Sequence, residues 1–251
     1  MPSLRDHAVV LRWHLLGESD RIVTLLTRQH GKVRAVAKGV RKTTSRIGAR
    51  LEPFMWVDVQ WSPGKSLAIV QQVELIGGYG AKLSTNYDAF ASAQAMVETA
   101  DKLTEHEATT DQTLLLVGGL RALAEGEHSH NLIMDSYLLR ALSLAGWTPS
   151  VRDCAQTGQP GPHRHFVPAL GGMVSPEVAP PGSATVSPET VELLDALLHG
   201  DWVVAEASSE KIRNEASALV QAFVQFHLER GLRALGEVSR VRRERIEESG
   251  R

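Results

Sequence analysis

The hydrophobic period of this chain changes once, at Gly77-Gly78-Tyr79-Gly80, and that switch constrains the fold more than any other feature. Before it, apolar residues come in short alternating or β-branched runs bounded by turn signals, the pattern of strands. Residues 7–16, 21–27, 33–37, 54–61 and 67–76 read as five strands. Gly17-Glu18-Ser19-Asp20, residues 28–32 and Ser62-Pro63-Gly64-Lys65 supply turns between them. In the fourth run Met55, Val57 and Val59 fall on one side, and Phe54, Trp56, Asp58 and Gln60 on the other. Five short strands with glycine-bearing turns in about 75 residues predict a small closed β-barrel. Closure also removes exposed sheet edges.

Beyond the switch the pattern is helical. Residues 86–103, 112–124 and 132–145 are rich in Ala, Leu and Met and poor in β-branched side chains. Asp111 and Asn131 are the expected N-caps, and Gly146 closes the third helix ahead of Pro149. Residues 149–188 then hold eight of the eleven prolines together with Gly158, Gly161, Gly171, Gly172 and Gly182, which predicts an irregular insert. Helices resume at Ser187-Pro188-Glu189, a cap followed by a proline at the first helical position and an acid. The longest helix is expected over 211–235, with Ile212, Ala216, Leu219, Phe223 and Phe226 at helical spacing. From Val238 the chain is charged and reads as a frayed end. The fold class is α+β: a barrel over 1–80, then a helical domain over 81–251 interrupted by the insert.

Charge is distributed unevenly between these parts. Residues 1–80 hold 12 Lys and Arg against 6 Asp and Glu, a net of +6, while 81–251 hold 15 against 23, a net of −8. Such a division suits two surfaces with different partners. The cations concentrate in residues 38–50, where Lys38, Arg41, Lys42, Arg46 and Arg50 occur with no acid. Thr43, Thr44 and Ser45 lie among them between Gly39 and Gly48, a composition for an exposed loop. Arg21, Arg28, Lys32 and Arg34 precede the loop on the strands and turn. Cations spaced in this way along a barrel and its loop fit the phosphates of a nucleic acid strand. Trp13, Phe54, Trp56 and Trp61 are the nearby aromatics for base stacking, although most belong in a core.

Several classes of function are disfavoured. No G-x-x-x-x-G-K-[ST] loop and no G-x-S-x-G elbow occurs, and the lone Cys154 has no recognisable histidine partner signature. A non-catalytic protein without a cofactor is expected. One cysteine excludes an internal disulfide and fits a reducing compartment. No signal-peptide core and no apolar run of about 20 residues occurs, so a cytoplasmic protein with no membrane contact is expected.

Residues 17–54 closely resemble the RecO family of DNA-repair mediators. The resemblance rests on Gly17-Glu18, Leu26-Thr27, His30-Gly31-Lys32, Ala37-Lys38-Gly39 with Arg41, Ser45, and Leu51-Glu52-Pro53-Phe54. It continues more weakly to near residue 235. It implies that the barrel is an OB-fold that binds single- and double-stranded DNA, and that a helical domain follows. It further implies partnership with the RecR protein, docking of the acidic C-terminal tail of single-strand-binding protein, help in loading RecA, strand annealing and a place at the nucleoid. The DNA role then falls on Arg34, Lys38, Arg41, Lys42, Arg46 and Arg50, followed by Arg21, Arg28 and Lys32. For an acidic tail, Arg121, Arg140, Arg213 and Arg230 on the helices are the candidates. The rival class is an RNA-binding OB protein linked to translation, since such barrels accept either nucleic acid.

The sequence departs from the family in the insert, where many members carry a four-cysteine zinc knuckle. Cys154 stands at the first ligand position, but Thr157, Ser175 and Val178 stand at the other three. Those side chains do not supply a structural zinc site, even with His163 or His165 nearby. No metal is expected.

Overall fold

The computed structural model describes residues 3–42, 45, 47–104 and 110–249, with side chains to residue 229. The strands are β1 (Leu4–Leu16), β2 (Asp20–Thr27), β3 (Lys32–Ala37), β4 (Met55–Ser62) and β5 (Ala68–Gly78). They close in the order β1-β2-β3-β5-β4, with β4 returning to β1. Every pairing is antiparallel except β3 with β5, a short parallel seam at Ala35↔Ala68 and Val36↔Ile69. A closed five-stranded barrel with this crossover is an OB-type fold.

Alternation fills the barrel. Ala8, Val10, Val23, Leu25, Ala35, Ala37, Val57, Val59, Trp61 and Val73 point inward and are buried. Asp58 and Gln60 lie on the opposite face of β4, as period two requires. A bulge between Val10 and Arg12 changes the phase of β1. Val10 faces inward before it, and Trp13 packs against the same core after it, leaving Arg12 and His14 outside. Phe54 enters β4 with φ 69, a left-handed conformation uncommon for a bulky residue. Its N–H donates to the Val10 carbonyl at 3.0 Å, and its buried ring meets Phe90 edge-on.

The barrel shares a compact unit, residues 1–144, with α1 (Tyr79–Leu83), α2 (Tyr87–Leu103), α3 (Thr110–Glu125) and α4 (His130–Leu144). Asn86 caps α2 by accepting from the Asp88 and Ala89 N–H groups. The expected caps Asp111 and Asn131 instead lie in the first turns of α3 and α4. Each helix starts one residue earlier than its expected cap, and the Ile133 N–H is taken by the Ser129 carbonyl.

Residues 145–251 form the second unit. Its irregular part carries a hairpin of β6 (His165–Val167) and β7 (Gly172–Val174). Gly172 is required there: at φ 130, a Cβ would lie 2.3 Å from the Ser150 carbonyl oxygen. The helices are α5 (Pro188–His199), α6 (Trp202–Ala207) and α7 (Glu210–Ser249). Ser187 caps α5 through the Thr190 N–H, and Gly200 ends it at φ 77. The last helix runs beyond the expected end at 235 and through the segment expected to fray. No described helix is long and apolar enough to cross a membrane.

Candidate nucleic-acid interface

Strand period places the cations of β3 on its outer face. Ala35 and Ala37 face the core, so Lys32 and Arg34 face out, and Lys38 follows at the strand end. The loop that follows is fastened to the turn between β1 and β2. The Arg41 guanidinium donates to the Glu18 carbonyl at 2.8 Å, and the Arg41 N–H to the Ser19 carbonyl at 3.0 Å. Asp20 accepts from the Gly39 N–H at 2.8 Å and from the Ser19 hydroxyl at 2.9 Å. Those bonds, Gly39 first, hold the Asp20 carboxyl below its usual range, and Lys38 and Lys42 add to the effect. The base of the basic loop and the hairpin tip are therefore one braced element.

The nine cations expected to meet DNA divide by what already holds them. Arg34, Lys38 and Lys42 are exposed and have no hydrogen-bonded side-chain partner among the described residues. Arg41 is exposed but spent on the tip carbonyls. Arg21 is nearly enclosed: its guanidinium donates to Glu52 at 2.7 Å and lies 3.9 Å from the centre of the Trp13 ring. Trp13 in turn donates its indole N–H to the other Glu52 oxygen at 2.9 Å. Lys32 pairs with Asp101 of α2 at 2.7 Å, and Arg12 pairs with the same carboxylate. Arg50 donates to the Val73 carbonyl at 2.7 Å. Arg28 is half-buried in the β2–β3 turn, where its carbonyl accepts from Thr110 at 2.9 Å. Arg46 lies outside the described residues.

Phe54, Trp56 and Trp61 are buried, so they are core residues and not stacking platforms. Lys65 stands apart from the dense cationic run in the sequence, and nothing local marks it. It is exposed in the β4–β5 turn, and the Ala35↔Ala68 register brings that turn to the Lys32 end of β3. In barrels of this type the faces of strands 2 and 3 and the loops 1–2 and 4–5 meet oligonucleotides.

Comparison with known proteins fits this geometry. Residues 1–79 match the family model described as recombination protein O N terminal, and residues 84–236 match its C-terminal counterpart. A DNA repair protein RecO of Thermobifida fusca (strain YX) is 52% identical over 243 residues, covering 96% of this chain and all of that protein. The Nocardioides sp. (strain ATCC BAA-499 / JS614) protein of the same name is 52% identical over 241 residues, 94% of this chain and 99% of that one. The Streptomyces coelicolor protein is 48% identical over 248 residues, again covering all of its length. This chain belongs to the RecO family.

The RecO motif residues have visible tasks here. Glu52 of Leu51-Glu52-Pro53-Phe54 holds Arg21 and Trp13, and Phe54 takes the left-handed turn into β4. Lys38-Gly39 with Arg41 forms the brace to the hairpin tip. In the insert, Cys154 stands near the β6–β7 hairpin without a set of metal ligands around it among the described residues. Cys154 is buried, and its Sγ accepts from the Ser175 N–H at 3.4 Å. Hydrogen bonds from Thr157, then from the N–H groups of Ser175, Gln156 and Thr157, hold the thiol down to about 6 against the opposing effect of burial. His163 is committed to the Gln159 carbonyl at 2.8 Å. Thr157, Ser175 and Val178 offer neither thiolate nor imidazole beside Cys154, so the residues present do not fit a four-cysteine zinc knuckle.

The four helical arginines are divided between the two units, Arg121 and Arg140 in the first and Arg213 and Arg230 in the second. Arg121 is exposed and 3.9 Å from Glu125, one turn along α3. Arg140 is exposed on α4. Arg213 bonds Ser208 and the Glu206 carbonyl, fixing the link from α6 to α7. The side chain of Arg230 lies outside the described residues. The second unit also contains a cavity of about 680 Å³, where Arg152, His163 and Arg164 border Pro162, Pro188 and Val191. Its arginines are scattered in sequence, and only the fold of the insert gathers them.

Proposed function

We propose that this RecO family member is a non-catalytic mediator of DNA repair and recombination that works in the cytoplasm at the nucleoid. Its barrel binds single- and double-stranded DNA through phosphates and anneals complementary strands. Its helical part meets the RecR protein and the acidic tail of single-strand-binding protein, and the chain thereby helps RecA load onto coated strands. The observation that carries this reading is the set Arg34, Lys38 and Lys42: exposed, without a hydrogen-bonded side-chain partner among the described residues, and mounted on or beside β3 of an OB-type barrel. Cations already hydrogen-bonded within the fold lose those bonds on meeting phosphate, whereas these three have no such bond to break and Lys38 and Lys42 have only a through-space attraction to Asp20. Annealing requires one protein to neutralise two strands and hold them close, which a cationic barrel on a bulky body permits. The names and full-length similarity of the bacterial relatives support the same pathway.

Binding of a fluorescent single strand across a salt series tests the reading. Replacing Arg34, Lys38 and Lys42 together by Ala should flatten the log–log salt slope by about 2, at about 0.7 per phosphate contact. An unchanged slope would move the interface elsewhere, and strong preference for a matched RNA strand would refute a DNA role.

A further inference from the structure

Two large apolar side chains stand where the barrel has no use for them. Leu15 is 58% exposed and Leu16 39% exposed, at the end of β1 beside the turn Gly17-Glu18-Ser19. A single exposed leucine is ordinary. Here two are consecutive on a strand, so they project from opposite faces of the hairpin and make its end a two-sided apolar blade. The blade is held firm from behind. Arg41 bonds the Glu18 carbonyl at 2.8 Å, its N–H bonds the Ser19 carbonyl at 3.0 Å, and Asp20 bonds the Gly39 N–H at 2.8 Å.

The blade is also next to exposed cations that make no hydrogen bond to a side chain among the described residues. Leu15 pairs across with Arg21, and Arg21 with Ala37, so Leu15 lies two strands from the residue preceding Lys38. That separation is about 10 Å, two strand spacings. Glu18 is exposed at the apex and repels phosphate, so a strand held by Lys38 and Lys42 turns its bases, not its backbone, toward the tip.

We propose that the β1–β2 tip is the base-contacting element of the interface: Leu15 and Leu16 pack against unstacked bases of a single strand whose phosphates Lys38 and Lys42 hold. This rests on the reading of the barrel as a DNA-binding surface. Leucine is among the apolar side chains that proteins insert between neighbouring bases. The contact is indifferent to sequence, because every base has an apolar face.

The test pairs a protein change with a DNA change. The full chain and its Leu15→Ser/Leu16→Ser variant are titrated with an intact single strand and with an abasic strand of the same length. On the intact strand the variant should bind about tenfold more weakly, with its salt slope unchanged. On the abasic strand the two proteins should bind alike. Leu15→Phe/Leu16→Phe should bind the intact strand at least as tightly as the parent, with thermal unfolding of both variants confirming the fold. Equal affinity of the Ser variant and the parent for the intact strand would overturn the proposal. So would an equal loss on both strands, which would mean the leucines act through the fold. Failure of the parent chain to bind either strand at low salt would instead refute the DNA-binding reading beneath it.

Discussion

Arg21→Met separates a cation that builds the barrel from one that meets DNA. Methionine keeps much of the stem and removes the charge. The lost hydrogen bond to Glu52, 2.7 Å long, is charge-assisted, a class that contributes about 1.5–3 kcal/mol. The Glu52 side chain is 39% exposed, so solvent holds the value at the lower end. Loss of the guanidinium from the Trp13 face, 3.9 Å away, costs about 0.5–1 kcal/mol more. Against this, the Arg21 Nε is buried without a partner, and removing it relieves part of its desolvation. The net cost is about 1–2 kcal/mol. Urea unfolding followed by tryptophan emission should show a midpoint lower by about 0.5–1 M, for a slope near 2 kcal/mol per M. The salt slope of DNA binding, measured on the folded variant, should not change. A midpoint equal to that of the parent, together with a slope flattened by about 0.7, would refute the assignment and make Arg21 a phosphate contact.

Two further outcomes concern the same unit. Gly48→Ala should destabilise the protein by about 1–3 kcal/mol in thermal or urea unfolding, because the new Cβ would lie 2.4 Å from the Val40 backbone oxygen beside the barrel core; no loss would mean the loop yields freely. Asp58 is held below the ordinary carboxylate range chiefly by its hydrogen bond from Arg5, so its stabilisation is present above the unfolded value of about 3.9 and fades as pH falls through the lower folded value. The melting temperature of Asp58→Asn should therefore fall below that of the parent at pH 7 and converge with it in acid, and a constant gap across that range would refute the linkage.

The barrel is legible in the sequence because its strands are short, alternating and bounded by glycine turns, and each expected strand lies within two or three residues of its observed bounds. The phase of β1 is not legible. The bulge after Val10 inverts which of Arg12 and Trp13 faces inward, and no local pattern announces an unpaired residue. The cationic loop announces itself by density, but density does not distinguish a free charge from an engaged one. Lys32 and Arg50 are bound by Asp101 and the Val73 carbonyl, partners 69 and 23 residues away along the chain. Leu15 and Leu16 have the opposite property. In sequence they close an apolar strand run, and only the structure shows that both side chains are exposed.

The parallel seam between β3 and β5 rests on two paired positions, whereas its antiparallel neighbours run to six and eight. A ring fails at its thinnest joint. Here that joint adjoins the strand that presents Arg34 and feeds the cationic loop. Parting along it would leave β3 attached to β2 and tied to the hairpin tip by Arg41, with the other four joints still paired. If the barrel grips DNA as proposed, this one short ladder is where it can adapt to strands of different curvature.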